Sequence, residues 1–452
     1  KAYSNQGAYA SHGHAIAANG LTAFRLQYAC PNIRGEAYTI YTNTPVGGAM
    51  RGYGIPQVCF AIESFMDDVA NEIHMDPLEF RRKNLIQGYY EDAYLKPIAA
   101  NTNGIFECLE KGAEYIHWDE KRKEYAEQAG DVRKGVGMAL FSYKTGVWPI
   151  SLEIAGARLS LNQDGSVQLM LGATEIGQGA DTVFSQMVAE TLHTDMEHVH
   201  IKTVQDTDVS PFDTGAYASR QSFVTGTAVR HCAEILRDKI LAYAKTLLPE
   251  IDTRELTLKD NWIWAGDEQA ISLAALAEES YYSLTNSSVL TAEVSEQVKK
   301  NTIATGCCFA EVEVDIKLGK IKILHIINVH DSGKLLNPQL AEMQVHGGMS
   351  MGMGYGISEQ LILDEKTGRP LNGNLLDYKL MTMLDTPDIK ADFVELCDPM
   401  GPYGNKALGE PPAIPCAPAI RNAVLHATGV AFYENPLTPQ RLIDGFKKAG
   451  LI

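Results

Sequence analysis

Three stretches of glycine and small polar residues, each running straight into a helical pattern, limit what this chain of 452 residues can fold into. The first is Gly47-Gly48-Ala49-Met50-Arg51-Gly52-Tyr53-Gly54 and the second Gly172-Ala173-Thr174-Glu175-Ile176-Gly177-Gln178-Gly179. The third is Asp213-Thr214-Gly215-Ala216-Tyr217-Ala218-Ser219-Arg220-Gln221. A helix entered through glycines presents bare backbone N–H groups and the positive end of its dipole, which suits phosphate or another anion. One such loop is an ordinary turn. Three of them, each with an amide, a hydroxyl or an Arg, point to a large polyanionic, heterocyclic ligand gripped from several sides.

The elements around them follow from periodicity. Val58, Ile62, Phe65, Val69 and Ile73 are spaced along one apolar face of a predicted helix. Asp76-Pro77 with Glu79 reads as a cap with proline at the first helical position of a second short helix. Residues 108–130 turn charged and helical, which places a domain boundary near there. Alternation from Ala157 to Leu171 around Asp164-Gly165 predicts a hairpin, and Val183, Phe184, Met187, Val188 and Leu192 are the inward face of the helix after it. A helix to about Thr246 follows the third glycine stretch. Val312, Val314 and Ile316 alternate before a turn at Leu318-Gly319, with a return strand over Ile321–Val329. Asn337-Pro338 then caps a helix rich in glycine and methionine, where the glycines permit close packing and the methionines at 343, 349, 351 and 353 fill core. Hairpin, polar glycine loop, helix is a recurring unit, and the order predicts an α+β fold rather than a regular βαβ series.

Charge excludes one class of partner. Lys plus Arg is 39 against 56 for Asp plus Glu, a net charge of −17, and no basic run offsets it, so nucleic acid is not an expected ligand. No apolar run is long enough for a membrane span, and Lys1-Ala2-Tyr3-Ser4 has neither an initiator Met nor the layout of a signal peptide. The expected compartment is cytoplasmic, and this is not the expected native start. The eight cysteines form no C-x-x-C pair and read as buried thiols rather than as disulfides, zinc ligands or an iron–sulfur set. None of the loops is a Walker A loop, no G-x-G-x-x-G opens a helix after a strand, and there is no H-E-x-x-H. Any metal is therefore expected to take its ligands from a cofactor.

One carboxylate stands out near the C-terminus. Glu410 lies between Gly409 and Pro411-Pro412. The prolines fix φ, and a residue before proline is expected to be extended, so Glu410 is expected to be pinned. A pinned, desolvated carboxylate suits a general base of raised pKa.

Together these segments resemble the molybdenum-binding subunit of the xanthine dehydrogenase/aldehyde oxidoreductase family of molybdenum hydroxylases. The matching motifs, in family order, are Gly48-Ala49-Met50-Arg51-Gly52-Tyr53-Gly54 with Pro56-Gln57, the Gly172–Gly179 stretch, Ser219-Arg220-Gln221, Asn337-Pro338 with Gln344, and Lys406-Ala407-Leu408-Gly409-Glu410-Pro411-Pro412. They span nearly the whole chain. The resemblance implies residues 1–125 as the C-terminal part of a first molybdopterin-binding domain and 126–452 as a second. It implies a molybdopterin whose dithiolene holds the metal, optionally in cytosine dinucleotide form, with a terminal sulfido or selenido ligand and no protein ligand to molybdenum.

By that resemblance Glu410 is the base that takes a proton from water-derived oxygen on its way to an electron-poor substrate carbon. Gly48, Met50 and Arg51 approach the metal and the pterin, and Gln344 hydrogen-bonds the pterin. Gly177, Gln178, Gly179, Ser219, Arg220 and Gln221 hold pterin and phosphate. Tyr53 packs on a flat substrate, Asn19 occupies the position where purine enzymes keep a substrate-binding Arg, and Trp148-Pro149 favours a flat ring. The family's earlier Gly-Gly-Phe/Trp-Gly-Gly loop has no match, so the chain resembles only the larger, C-terminal part of that subunit. The expected partners are the N-terminal portion, a [2Fe–2S] subunit and an FAD subunit, since this chain carries no cysteine set or flavin loop for electron relay. The function implied is hydroxylation of a purine or related N-heterocycle. The alternatives are an aldehyde oxidoreductase and a cofactor-holding module inactive without its partner; a nucleotide-dependent transferase lacks a basic triphosphate clamp.

Overall fold

The computed structural model describes residues 1–452 apart from 89, 92–96, 99–101, 203–205 and 252–255. Its centre is a four-stranded sheet in the order Ile389–Phe393, Lys320–Asp331, Ile303–Asp315, Val132–Lys144. Neighbours are antiparallel except for the edge strand Ile389–Phe393, which runs parallel to Lys320–Asp331. Both faces are covered, because successive residues of a strand point to opposite sides. Cys307 and Phe309 pack with Cys59, Ile62 and Met66 of the Ile55–Glu72 helix and with Cys108 and Leu109 of Ile105–Ile116. Cys308 and Ala310 face Val345, Met349 and Met353 of the Pro338–Ile357 helix and Ile420 and Val424 of Cys416–Thr428. The pair Cys307-Cys308 is thus divided between two cores as free, buried thiols.

Glycine sets the approach of the helices. A Cβ at Gly137 would lie 2.1 Å from the backbone nitrogen of Ala423, and one at Gly348 would lie 2.4 Å from Cβ of Pro412. Only a bare backbone lets Cys416–Thr428 lie on its strand and lets Pro338–Ile357 reach the Glu410 loop. The chain before residue 125 and the strand after it share one core, with Trp118 and Tyr125 buried beside Val136 and Met138.

A second four-stranded sheet has the order Thr291–Gln297, Ile154–Leu161, Val167–Leu171, Val199–Ile201. The predicted hairpin pairs Ala157 with Leu171 and Leu161 with Val167. Phe184, Met187, Val188 and Leu192 of Ala180–Leu192 and Phe223, Val224 and Leu236 of Gln221–Leu247 bury this sheet's face. The segregated helices and sheets agree with the α+β expectation. Among the described residues no helix is long and apolar enough to cross a membrane.

The Ile55–Glu72 helix corrects the sequence reading of its inner face. Phe65 and Ile73, placed inside by periodicity, are 62% and 50% exposed, while Glu63 and Asp67 are buried. The reason is Arg81, whose Nε donates to Glu63 at 2.8 Å and whose Nη1 donates to Asp67 at 2.6 Å. Two carboxylates are carried inward because one buried guanidinium bonds to both, and Gln27, Tyr28 and the backbone N–H of Leu140 donate further hydrogen bonds to Glu63. The capping reading agrees with the structure: Asp76 accepts from the backbone N–H of Leu78 and Glu79 at 2.9 and 3.2 Å.

His330 carries a pH consequence. It lies buried between the rings of Phe141 and Phe393, and neither ring nitrogen has a partner among the described residues. Burial, then the charge of Arg51, depresses its pKa to about 3. The unfolded chain protonates an ordinary histidine near pH 6.5, so between about 6.5 and 3 the unfolded state binds the extra proton. Stability therefore falls as pH falls through that window, by up to about 1.4 kcal/mol per pH unit from this residue. His330→Phe is expected to flatten the slope of unfolding free energy against pH between 6 and 4 in urea titrations; an undiminished slope would assign the acid sensitivity elsewhere.

Candidate active site

A cavity of about 550 Å³ opens where the three glycine stretches meet the Glu410 loop and the start of the Pro338–Ile357 helix. Met50, Arg51, Gly177, Gln178, Ser219, Arg220, Gln221, Gln344 and Glu410 all line it. Segments far apart in sequence are thereby gathered at one place.

The glycine stretches are built differently from bare anion cradles. In the second, Gly177 and Gly179 take left-handed φ values of 93° and 83°. Their N–H groups turn onto the carboxylate of Glu175 at 2.7 and 3.1 Å, and Asp181 N–H adds a third bond at 3.1 Å. Burial pushes the Glu175 pKa up, but these backbone donors outweigh it and hold the carboxyl below its usual range. The chain supplies its own anion at this helix start. Gln178 is fixed within the same loop: its Nε2 donates to Thr174 O at 2.8 Å and to Oε1 of Gln221 at 2.7 Å.

The third stretch is organised in the same way around Asp213, which accepts from Gly215 N–H at 2.8 Å and from the Thr225 hydroxyl at 2.6 Å. Arg220 is fully buried, its Nε on Glu153 and its Nη1 on Asp213, each at 2.6 Å. Its remaining donors reach Gly215 O and Ile154 O at 3.0 and 2.9 Å. Arg220 therefore ties the cavity wall together. In the first stretch Arg51 does a similar job: Nε donates to Gly409 O at 2.6 Å and Nη2 to Gln344 O at 2.7 Å, joining the Glu410 loop to the Pro338–Ile357 helix.

Glu410 departs from the extended conformation expected before proline. Its φ and ψ are −95° and −35°, and it starts a single 3-10 turn over Pro411–Ala413. That region is crowded for a residue before proline, so external bonds must hold it there. Glu410 N–H donates to Ser219 Oγ at 2.9 Å, and Asn328 donates to Pro412 O at 3.0 Å. The Ser219 hydroxyl returns a bond to Oε2 at 3.3 Å, Gly52 N–H approaches Oε1 at 3.4 Å, and the buried Tyr143 phenol donates to Oε2. Burial raises the Glu410 pKa above the ordinary value; the hydrogen bonds from Tyr143, Gly52 and Ser219 and the charge of Arg51 reduce the rise without cancelling it. A part-buried carboxylate of raised pKa at a cavity wall is suited to accept a proton from a ligand.

Six of the residues singled out from sequence do not line the cavity. Gly179 caps the Ala180–Leu192 helix, whose Ala180 does line it, and Gly48 lies just before Ala49, which also lines it. Asn19 donates to Tyr53 O at 2.8 Å, and the Tyr53 hydroxyl donates to His12 O at 3.0 Å, so this pair packs against the first helices. Trp148 accepts from Asn301 at 2.8 Å and is followed by Pro149 through a cis peptide bond. Sequence reasoning missed Tyr143, Glu153, Glu175 and Asp213. Glu175 and Asp213 had a local signal, a carboxylate just ahead of a glycine-led helix start, which resembles a capping pattern. Tyr143 had none.

The molybdopterin cofactor-binding domain family matches the chain over residues 1–85 and again over 111–387. The chain is 48% identical to the xanthine dehydrogenase molybdenum-binding subunit of Escherichia coli O157:H7, over 99% of its own length and 60% of the relative's. It belongs to the molybdenum-binding chains of the xanthine dehydrogenase/aldehyde oxidoreductase family. The aldehyde oxidoreductase molybdenum-binding subunit PaoC of Escherichia coli K12 is 28% identical, with 88% of this chain and 52% of that one covered. The crystal structure of quinoline 2-oxidoreductase from Pseudomonas putida 86 has the same fold, with a TM-score of 0.89 at 23% identity over 99% of this chain and 59% of that one. This molybdenum-binding chain thus spans about 60% of the length of the curated relative most fully aligned above.

The cavity fits a molybdopterin on its own terms. Its volume is in the range of small-molecule sites, about 300–1,000 Å³. The Ala180–Leu192, Gln221–Leu247 and Pro338–Ile357 helices all begin at its wall. Ser332 Oγ and Asn405 Oδ1 are buried atoms of lining residues with no partner among the described residues, which a polar ligand would satisfy.

Proposed function

We propose that this chain is the larger part of the molybdenum subunit of an enzyme that oxidatively hydroxylates a purine or related N-heterocycle, with Glu410 as the general base. The observation carrying this reading is the Glu410 carboxylate itself: held at the wall of the cavity by three hydrogen bonds, with its pKa raised by burial. When bound, the molybdopterin supplies a Lewis-acidic, redox-active centre that activates water-derived oxygen and takes up the two electrons of the oxidation.

The chain's own residues bind, orient and move a proton. The amides of Gln178, Gln221 and Gln344, with Met50 and Gly177, are the proposed pterin and phosphate contacts lining the cavity, with Gly48 and Gly179 proposed as the adjoining positions that let the backbone come close. Arg51, Ser219 and Arg220 contribute by holding the wall in shape. Glu410 accepts the proton released as oxygen reaches the substrate carbon. Tyr53, Asn19, Trp148 and Pro149 are the proposed substrate-side residues; Tyr53 follows Gly52, whose N–H reaches the base. Purine-type substrates are favoured over aldehydes because the similarity to a xanthine dehydrogenase subunit is 48% against 28% for an aldehyde oxidoreductase subunit. We assign the cytosine dinucleotide form and a sulfido or selenido ligand as options for the cofactor. The N-terminal portion of the subunit, a [2Fe–2S] subunit and an FAD subunit are the proposed partners, in the cytoplasm. Division of this chain at 125/126 into two molybdopterin-binding domains is part of the same proposal.

The test is metal and pterin analysis of the purified complex, with turnover of purines, nicotinate and aldehydes measured against an artificial electron acceptor. Molybdenum and pterin near one per chain, with fastest turnover on a purine or related ring, is the expected result. Fastest turnover on small aldehydes would move the assignment to aldehyde oxidation, and a complex without pterin would overturn it.

A further inference from the structure

We propose that Tyr143 is a positioning residue for the base: with Ser219 it occupies Oε2 of Glu410, leaving Oε1 as the oxygen that takes the proton. This rests on the reading of Glu410 as the base. Tyr143 lies near the end of the Val132–Lys144 strand, 3% exposed and 267 residues from its partner in sequence. Its phenol donates to Oε2. Burial, and then the charge of Glu410, push the phenol's own pKa well up, so it remains a donor across the working range.

Ser219 completes the hold on that oxygen. A hydroxyl has one proton and two lone pairs, and here both functions go to one residue: it accepts from Glu410 N–H at 2.9 Å and donates to Oε2 at 3.3 Å. A carboxylate offers about four lone-pair sites across its two oxygens. Two donors take up Oε2, whereas among the described residues Oε1 has only Gly52 N–H at 3.4 Å, near the limit of a hydrogen bond. The carboxylate is thus asymmetric before any ligand arrives, and a carboxylate held in one orientation needs no reorganisation when the proton moves.

The other charged groups of the cavity leave this arrangement to Tyr143. Arg51 faces Glu410, but two of its nitrogens bond to the carbonyls of Gly409 and Gln344. Arg220 faces Glu153 and Asp213, Lys406 faces Asp331, and Lys334 faces Glu395. Among the hydrogen bonds that oppose burial at Glu410, the one from Tyr143 has the largest effect.

The deciding measurement is an infrared difference titration of the cofactor-free full chain, following the protonated carboxyl band assigned to Glu410 by its loss in Glu410→Gln. In Tyr143→Phe the band's midpoint is expected to move up by about one pH unit, since a hydrogen bond to a charged group stabilises the ionised form. In the loaded complex the acid limb of kcat/KM is expected to move up by the same amount with molybdenum content unchanged. Ser219→Ala provides a second variant, with a smaller upward shift expected. A midpoint that stays in place in both folded variants overturns the proposal whatever the turnover. A midpoint that moves while the kcat/KM limb does not leaves Tyr143 holding the carboxylate and overturns Glu410 as the base instead.

Discussion

Glu410→Gln is expected to lower kcat by about 10²–10⁴-fold, the range that a positioned general base contributes, with molybdenum and pterin content as in the parent. The substitution keeps the shape and an acceptor oxygen for Tyr143 and Ser219, whose bonds now end on Glu410. It removes the ability to take a proton. Metal analysis beside single-turnover rates separates the two roles: lost metal with lost turnover would make the residue structural, and a rate like the parent's would end its assignment as base. The pH profile carries the same sign. Because burial sets the folded pKa of Glu410 above its ordinary value, the ionised, active form disappears as pH falls through that raised value. The acid limb of kcat/KM in the parent is thus expected above about pH 4.3, the usual glutamate value.

Arg220→Met is expected to cost about 3–5 kcal/mol of stability, the range for removing one partner of a buried ion pair. Arg220 is fully buried and shared between Glu153 and Asp213, so the change leaves two carboxylates in the wall without their cation. Asp213 in turn holds the turn at Gly215 and the Thr225 hydroxyl. The turn leading to Ser219 is therefore expected to loosen, and pterin retention in the purified complex to fall with it. Urea unfolding and pterin content are the measurements. A stability change under about 1 kcal/mol with full pterin content would show that surface-like screening reaches this pair after all.

The two variants differ in what they disturb. Glu410→Gln alters a group exposed to the ligand and leaves the wall intact, whereas Arg220→Met alters only the wall. Finding pterin lost in the second and kept in the first would support separate duties for base and scaffold, even though Ser219 and Arg220 are adjacent in the chain.

Much of the architecture was written locally in the sequence. Period two and the Asp164-Gly165 turn specify the hairpin over Ala157–Leu171, and Asp76-Pro77 and Asn337-Pro338 specify helix starts, because these signals need only neighbours within a few residues. The glycine stretches and Glu410 were legible as candidate site residues for the same reason. Tertiary structure alone decided what each polar group holds. Arg81 turned the acidic side of the Ile55–Glu72 helix inward, and Arg220 was turned into the wall. Glu410 found its partners at Gly52, Tyr143 and Ser219, separated from it by 358, 267 and 191 residues. A local pattern records where a helix or strand forms; which buried charge meets which donor depends on desolvation and distance, and both exist only once the chain is packed.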